Sequence, residues 1–495
     1  MEEAYIGNLR GTRRVTFTGL LIFALLMLSN QGFSQGSTAI DSLVARWARQ
    51  DLLKGASVGV EVRDAASGER LGSWNAEVSL TPASTLKVVT TATALEILGP
   101  DFHFRTRLAY TGTLRNDNLL GDLLLIGGGD PALGSAYFSN HARAKHFLDN
   151  WIDSLKMRKI RYIRGDLVTD ATVFDDQSVP DTWIWEDLGN YFGAGVSGLS
   201  AYDNSFAIHF SSPSAPGQPT KIISMRPEVP GLSVENKVLS SDDRRDLACV
   251  YGSPFDGNRI IRGTIPKGQK DFMVRASLPD PAKLLATQFR QKLTEAGIGI
   301  DGNIRRSPEG IKGSVLLATT WSPPLSELIR VTNHESVNLF AEHLFRQIAL
   351  SETGQATNAD GIRAVTAFWK KQGIDTSGFF ICDGSGLSRC NAVTGKQIAE
   401  ILLYMKNKSR HSELFFRSLP AVPDGTLYSF STENFPDKCL RAKSGSMTRV
   451  RCYAGLLKTF SGRQILFSVA LNNFSCTQAH AIDAIEQLLS EIVRQ

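Results

Sequence analysis

Pro82-Ala83-Ser84-Thr85-Leu86-Lys87 runs directly into Val88, Val89, Ala92, Leu95 and Leu98 at helical spacing, and Gly99-Pro100 follows. A proline ahead of the first turn and Gly-Pro after the last frame a helix of about four turns with Ser84 at its start. Ser84 and Lys87 are three residues apart, so hydroxyl and amine share one helical face within reach of each other. A neutral lysine there is a local general base for a serine nucleophile, and a helix N-terminus favours negative charge developing beside it. Alone the pairing is weak: Ser-x-x-Lys arises by chance about twice in a chain of this length, and an exposed capping serine explains it as well.

Two further elements add weight. Ser336-Val337-Asn338 falls between two helical stretches, one ending at His334 and the next beginning Leu339-Phe340-Ala341-Glu342. Lys443-Ser444-Gly445-Ser446 falls on a strand, where its glycine lets a ligand approach the backbone. Other signals fail. Gly127-Gly128-Gly129 continues into Asp130-Pro131 rather than a Gly-Lys-Ser/Thr helix start, so it is a turn. Gly195-Val196-Ser197-Gly198-Leu199 lacks the second glycine of a nucleophile elbow.

The rest of the chain frames these elements. Residues 40–110 open with an amphipathic helix (Ile40, Leu43, Val44, Trp47) and strands near Ala56–Val62 and Leu71–Trp74. From about 105 to 322 the pattern is one of short strands and turns, with helical seams only near 142–157 and 281–296. Residues 323–495 return to helices over 325–334, 339–352, 361–372 and 396–405, then strands over Arg449–Lys458 and Gln464–Leu471, then a helix from Ala479 to Val493. A late sheet flanked by an early and a late helix makes an α/β domain split by a mostly β, two-part insertion.

The order Ser-x-x-Lys, Ser-x-Asn, Lys-Ser/Thr-Gly is that of penicillin-binding proteins and class A β-lactamases. With Pro82–Phe104, Gly127-Gly128-Gly129-Asp130-Pro131, Gly165-Asp166-Leu167, Asp383-Gly384-Ser385-Gly386-Leu387-Ser388 and Asp424-Gly425-Thr426-Leu427, the chain resembles the class C low-molecular-mass D-alanyl-D-alanine carboxypeptidases, the S13 peptidases, over nearly its whole mature length. The long separation of Ser84 from Ser336 fits that family, which inserts two extra domains there, and excludes a class A β-lactamase. The resemblance implies a transpeptidase-type domain from 35–104 and 323–495, an inserted domain II from 105–131 and 199–322, and an inserted domain III from 132–198.

It also implies a chemistry. Ser84 attacks the penultimate D-Ala carbonyl of a peptidoglycan stem peptide, and Lys87 takes its proton, its pKa lowered by burial and by the second ammonium of Lys443. Ser336 relays the proton to the departing D-Ala, and Asn338 donates to the acyl-side amide. The N–H groups of Ser84 and Ser446 form the oxyanion hole across Gly445, and Lys443, Ser444 and Ser446 receive the terminal carboxylate. Asp187, in Trp183-Ile184-Trp185-Glu186-Asp187, faces the ammonium of diaminopimelate, with Leu387 lining the same pocket; a solvated acidic loop is the competing reading of Glu186 and Asp187. Val337 and the serines at 444 and 446, where the family usually has a polar residue and threonines, bear on fine specificity. DD-endopeptidase cleavage of cross-links is compatible with the same site, β-lactams are expected inhibitors, and no cofactor is expected. A non-catalytic β-lactam sensor or wall-binding module is the alternative on this fold.

Composition agrees with a multidomain globular protein. Of 495 residues, 42% are hydrophobic and 21% charged, and 54 Lys and Arg against 49 Asp and Glu leave a net charge of +5 without a concentrated basic face, which argues against nucleic acid binding. Arg10, Arg13 and Arg14 precede an apolar stretch from Val15 to Leu28, then Gly32 and Ser34 at small-residue positions. This is the order of a cleaved secretory signal over 1–34, and the apolar run is short for a span that needs about 20 residues. Export to the periplasm follows, as a soluble or peripherally membrane-associated enzyme. Six cysteines without a CxxC pair leave fifteen pairings open. Eight histidines without HExxH give no metal site, and the oligomeric state stays open.

Overall fold

The computed structural model describes residues 39–139 and 146–495. The expected signal segment lies outside them; among the described residues no helix is long and apolar enough to cross a membrane.

A five-stranded antiparallel sheet organises the body that carries Ser84. Its strand order is Arg70–Trp74, Ser57–Asp64, Gln464–Asn472, Val450–Lys458, Leu440–Met447. Two strands from the start of the chain therefore lie beside three from its end, joined where Ser57–Asp64 pairs with Gln464–Asn472, and apolar side chains pack on both faces. Val58, Val60, Val62, Phe467 and Val469 pack with Trp47 of helix Ala39–Ala48 and with Ile485 and Leu488 of helix Gln478–Val493. The Trp47 indole N–H donates to Ala484 O at 2.7 Å, joining the two helices. On the other face Ala454 and Leu466 meet a helical layer built on Lys87–Leu98, Leu325–His334, Asn338–Thr353 and Gly395–Asn407.

Helix Lys87–Leu98 is buried along most of its length, so its threonines need partners. Thr91 and Thr93 donate to the carbonyls of Lys87 and Val89, and Thr90 donates to Gly384 O at 2.6 Å. Gly99, at φ +80°, ends it.

The insertion leaves and returns through paired strands. Arg105–Tyr110 and Val315–Trp321 run antiparallel in a second five-stranded sheet, ordered Ile304–Arg306, Leu167–Asp170, Leu123–Ile126, Arg105–Tyr110, Val315–Trp321. Helices Phe147–Met157 and Pro281–Glu295 cover it through Trp151, Leu155, Leu285 and Phe289. Residues from Ser205 to Ser277 form two three-stranded sheets with a separate apolar core around Phe206, Phe210, Val250 and Ile261.

This corrects the expected division. Residues 132–198 do not stand apart from 105–131, because Leu167–Asp170 pairs in parallel with Leu123–Ile126. A parallel pair needs a crossover between its strands, and the segment containing helix Phe147–Met157 is that crossover. The segment with its own core is Ser205–Ser277, nested inside the sheet that 132–198 helps to build.

Candidate active site

Ser84 lies in a single 3₁₀ turn, Ala83–Leu86, that feeds helix Lys87–Leu98. The turn is clamped. Ala83 takes φ +46° although it is not glycine, a conformation that persists only where the surroundings enforce it. A Cβ on Gly386 would come within 1.9 Å of Ala83 O, and one on Gly445 within 2.6 Å of Pro82 O and 3.0 Å of Ser84 N. Both glycines exist to let backbone reach backbone behind the nucleophile.

Lys87 is fully buried, and its Nζ reaches Ser84 Oγ at 2.9 Å, Asn338 Oδ1 at 2.6 Å and Ser385 O at 2.8 Å. Burial draws its pKa down to about 7, against the pull of the Asp383 and Glu342 carboxylates. A neutral amine here can donate to Asn338 and Ser385 and turn its lone pair to the Ser84 hydroxyl.

Ser336 occupies the turn between helices Leu325–His334 and Asn338–Thr353 at φ +59°. It accepts from Lys443 Nζ at 2.9 Å, and Lys443 also donates to Ser444 O at 2.8 Å. Lys443 is held well below the usual lysine range by burial first, then by the positive charges of Lys87 and Arg451. The expected repulsion between the two lysines lowers Lys443, whereas burial alone lowers Lys87. Asn338 Nδ2 donates to Phe192 O at 2.8 Å, tying the insertion to helix Asn338–Thr353.

Ser84, Ser336, Asn338, Ser446, Asp187 and Leu387 all line one cleft of about 480 Å³. Ser444 shares the strand face of Ser446 but is buried beneath it. Asp187 is half-buried, and desolvation raises its carboxyl to about 6; neighbouring Glu186 adds to the rise and Arg389 opposes it. Neither Trp183 nor Trp185 is among the residues lining the cleft beside Asp187. Trp183 is buried with its indole on Asp383, and Trp185 is exposed, tilted over Tyr251 at 6.4 Å. Phe192, Tyr191 and Tyr137 are the aromatic residues lining the cleft.

Sequence reasoning missed the support beneath Lys87. Buried Glu342 accepts the N–H groups of Gly384 (3.1 Å) and Ser385 (2.7 Å). Asp383 accepts Gly386 N–H, Ser388 N–H, Asn391 Nδ2 and the Trp183 indole at 2.6 to 2.9 Å. The two carboxylates shape the loop whose Ser385 carbonyl receives Lys87. Arg389, Arg275, Asp203 and Tyr137 also line the cleft. Glu342 carried a signal, an acid on the apolar face of a helix; the arginines carried none.

A serine beside a buried lysine, faced by a second serine whose lysine partner lies on an edge strand, on this split sheet, defines the penicillin-recognising serine hydrolases. The profile of the D-Ala-D-Ala carboxypeptidase 3 (S13) family matches residues 40–492, and the chain belongs to that family. It is similar to the D-alanyl-D-alanine carboxypeptidase of Actinomadura sp. (strain R39), 28% identical over 454 residues covering 89% of this chain and 82% of that one. It is equally similar to DacB of Haemophilus influenzae, 28% identical over 431 residues covering 86% and 87%. The crystal structure of penicillin binding protein 4 (dacB) from H. influenzae superposes with a TM-score of 0.78 at 26% identity, covering 91% of this chain and 98% of that one. That protein has also been solved with a β-lactam bound.

Proposed function

We propose that this chain is an exported D-Ala-D-Ala carboxypeptidase that removes the terminal D-Ala from peptidoglycan stem peptides through an acyl-enzyme on Ser84. The observation that carries it is the 2.9 Å contact between Ser84 Oγ and the buried Lys87 Nζ, whose pKa of about 7 leaves much of it unprotonated at neutral pH. Lys87 takes the Ser84 proton as Oγ attacks the penultimate carbonyl. The developing oxyanion meets the N–H groups of Ser84 and Ser446, each such donor contributing about 3 to 4 kcal/mol. Ser336, held by Lys443, passes a proton to the departing D-Ala amine, and water then frees the enzyme.

On the acyl side, Asp187 and Arg389 put opposite charges in one cleft, which suits the zwitterionic far end of diaminopimelate, with Leu387 against its methylenes. The same arrangement accommodates a cross-linked stem peptide, so DD-endopeptidase activity belongs to the proposal. β-Lactams enter as mimics of the terminal dipeptide. The continuous hydrogen-bonding from Ser84 through Lys87 to Asn338 speaks against a sensor that has lost turnover.

Incubation with a diacetylated tripeptide ending in D-Ala-D-Ala, with D-Ala release measured, tests turnover. Mass spectrometry of penicillin-labelled protein tests the nucleophile: label within Thr81–Val88 is expected, and label elsewhere, or none in folded protein, overturns the assignment.

A further inference from the structure

The cleft contains a second charged pair that the chemistry above does not use. Tyr202, Asp203 and Asn204 stand consecutively at φ +56°, +58° and +45°, three non-glycine residues in the left-handed region. Such strain collects where a fold holds groups for a ligand. The segment is pinned by Tyr202 N–H on Leu133 O and by Asn204 Nδ2 on Gly195 O, both at 2.9 Å. The pinning presents Asp203 to the cleft. Its side chain is buried, with 6% of the residue exposed. Oδ2 accepts Ala136 N–H at 3.1 Å, whereas Oδ1, with the Ser135 hydroxyl nearby, has no hydrogen-bond partner among the described residues. A buried carboxylate oxygen left this way is costly unless something else donates to it.

Arg275 faces the same space from strand Phe272–Ser277. Its guanidinium contacts the Ser205 hydroxyl (3.5 Å), the Tyr137 phenol and the face of Tyr191 (4.3 Å), none of them anionic. Among the described residues the cleft thus holds a carboxylate oxygen without a donor and a cation that feels the Asp203 carboxylate but has no anion in contact.

We infer that Asp203 and Arg275 form a second subsite that takes the carboxylate-bearing residue on the amino side of the diamino acid. This rests on the carboxypeptidase reading. The substrate branches at the diamino acid: one arm ends in an ammonium and a carboxylate, and the other continues as peptide. Asp187 and Arg389 suit the first arm. Arg275 pairs with the free carboxylate of the next residue along the second, a γ-linked glutamyl, while Asp203 Oδ1 accepts a peptide N–H from it.

The test uses three free-amine substrates: diaminopimelyl-D-Ala-D-Ala, the same peptide extended by γ-D-glutamate, and the same extended by its α-carboxamide. The wild-type enzyme should turn over the carboxylate form with kcat/KM roughly ten-fold or more above the carboxamide, the ratio a charge-assisted hydrogen bond commonly gives. Arg275→Gln should bring that ratio to about one. Asp203→Asn, which keeps a residue tolerant of positive φ, should slow both extended substrates relative to the truncated one. A wild-type ratio near one overturns the subsite even if no variant folds, as does an equal loss on all three substrates in Arg275→Gln. Failure of the wild type to release D-Ala from any of them would instead overturn the carboxypeptidase reading beneath it.

Discussion

Trp183 donates its indole N–H to the Asp383 carboxylate at 2.8 Å, so a residue of the insertion helps to hold the loop from which Ser385 O receives the buried Lys87. Removing that donor leaves a buried carboxylate oxygen short of a partner, typically a loss of about 1 to 3 kcal/mol. Trp183→Phe should therefore lower the denaturation midpoint and slow penicillin acylation. Trp185→Phe, at an exposed ring, should move neither quantity.

In the proposed mechanism Lys87 acts as the free amine. Its pKa is lowered to about 7 by burial, so the acylation rate should climb as pH rises through about 7 and level off above it. Lys87→Ala should abolish acylation, whereas Lys443→Ala should chiefly weaken binding of substrates with a terminal carboxylate. Stopped-flow acylation across pH 5 to 9 checks both, and near wild-type acylation in Lys87→Ala would require another base.

Asp187 is charged only above about pH 6, because desolvation raises it. Its attraction for an ammonium should fade as pH falls through that value, with KM rising for a free-amino stem peptide but not for its N-acetylated counterpart. Asp187→Asn should cost the free-amino substrate roughly ten- to hundred-fold in kcat/KM at neutral pH, the range for a charge-assisted contact. Equal losses on both peptides would mark Asp187 as a structural residue, and none on either as a solvated one.

Gly445→Ala tests the clamp behind the nucleophile. The added methyl meets Pro82 O and Ser84 N and must push the strand away from the turn. Ser446, the next residue on that strand and a proposed oxyanion donor, then shifts relative to Ser84 in the cleft they share. The loss of one oxyanion donor predicts acylation slower by about 10²- to 10³-fold, with far-UV circular dichroism little changed.

What the sequence displayed was local. The framed helix after Ser84, the four helices after residue 323 and the strand under Lys443 follow from periodicity and punctuation, and the structure has each of them. The nesting of the insertion was hidden, because the pairing of Leu123–Ile126 with Leu167–Asp170 is a contact between distant segments with no local mark. The support of Lys87 was hidden for the same reason. Glu342 and Asp383 act on backbone N–H groups of one loop, and nothing in either residue's neighbourhood names that target. Trp183 lies only four positions from Asp187, yet its indole turns to Asp383.

The split sheet also dictates when the enzyme becomes competent during its synthesis. Chains emerge from the ribosome N-terminal end first, and strand Ser57–Asp64 finds its inner neighbour only in Gln464–Asn472. The insertion, whose two ends pair with each other, can close well before that. Ser84 and Lys87 are thus made early but wait for Ser336, Lys443 and the last strands, and a truncated chain carries the nucleophile without the sheet that arms it.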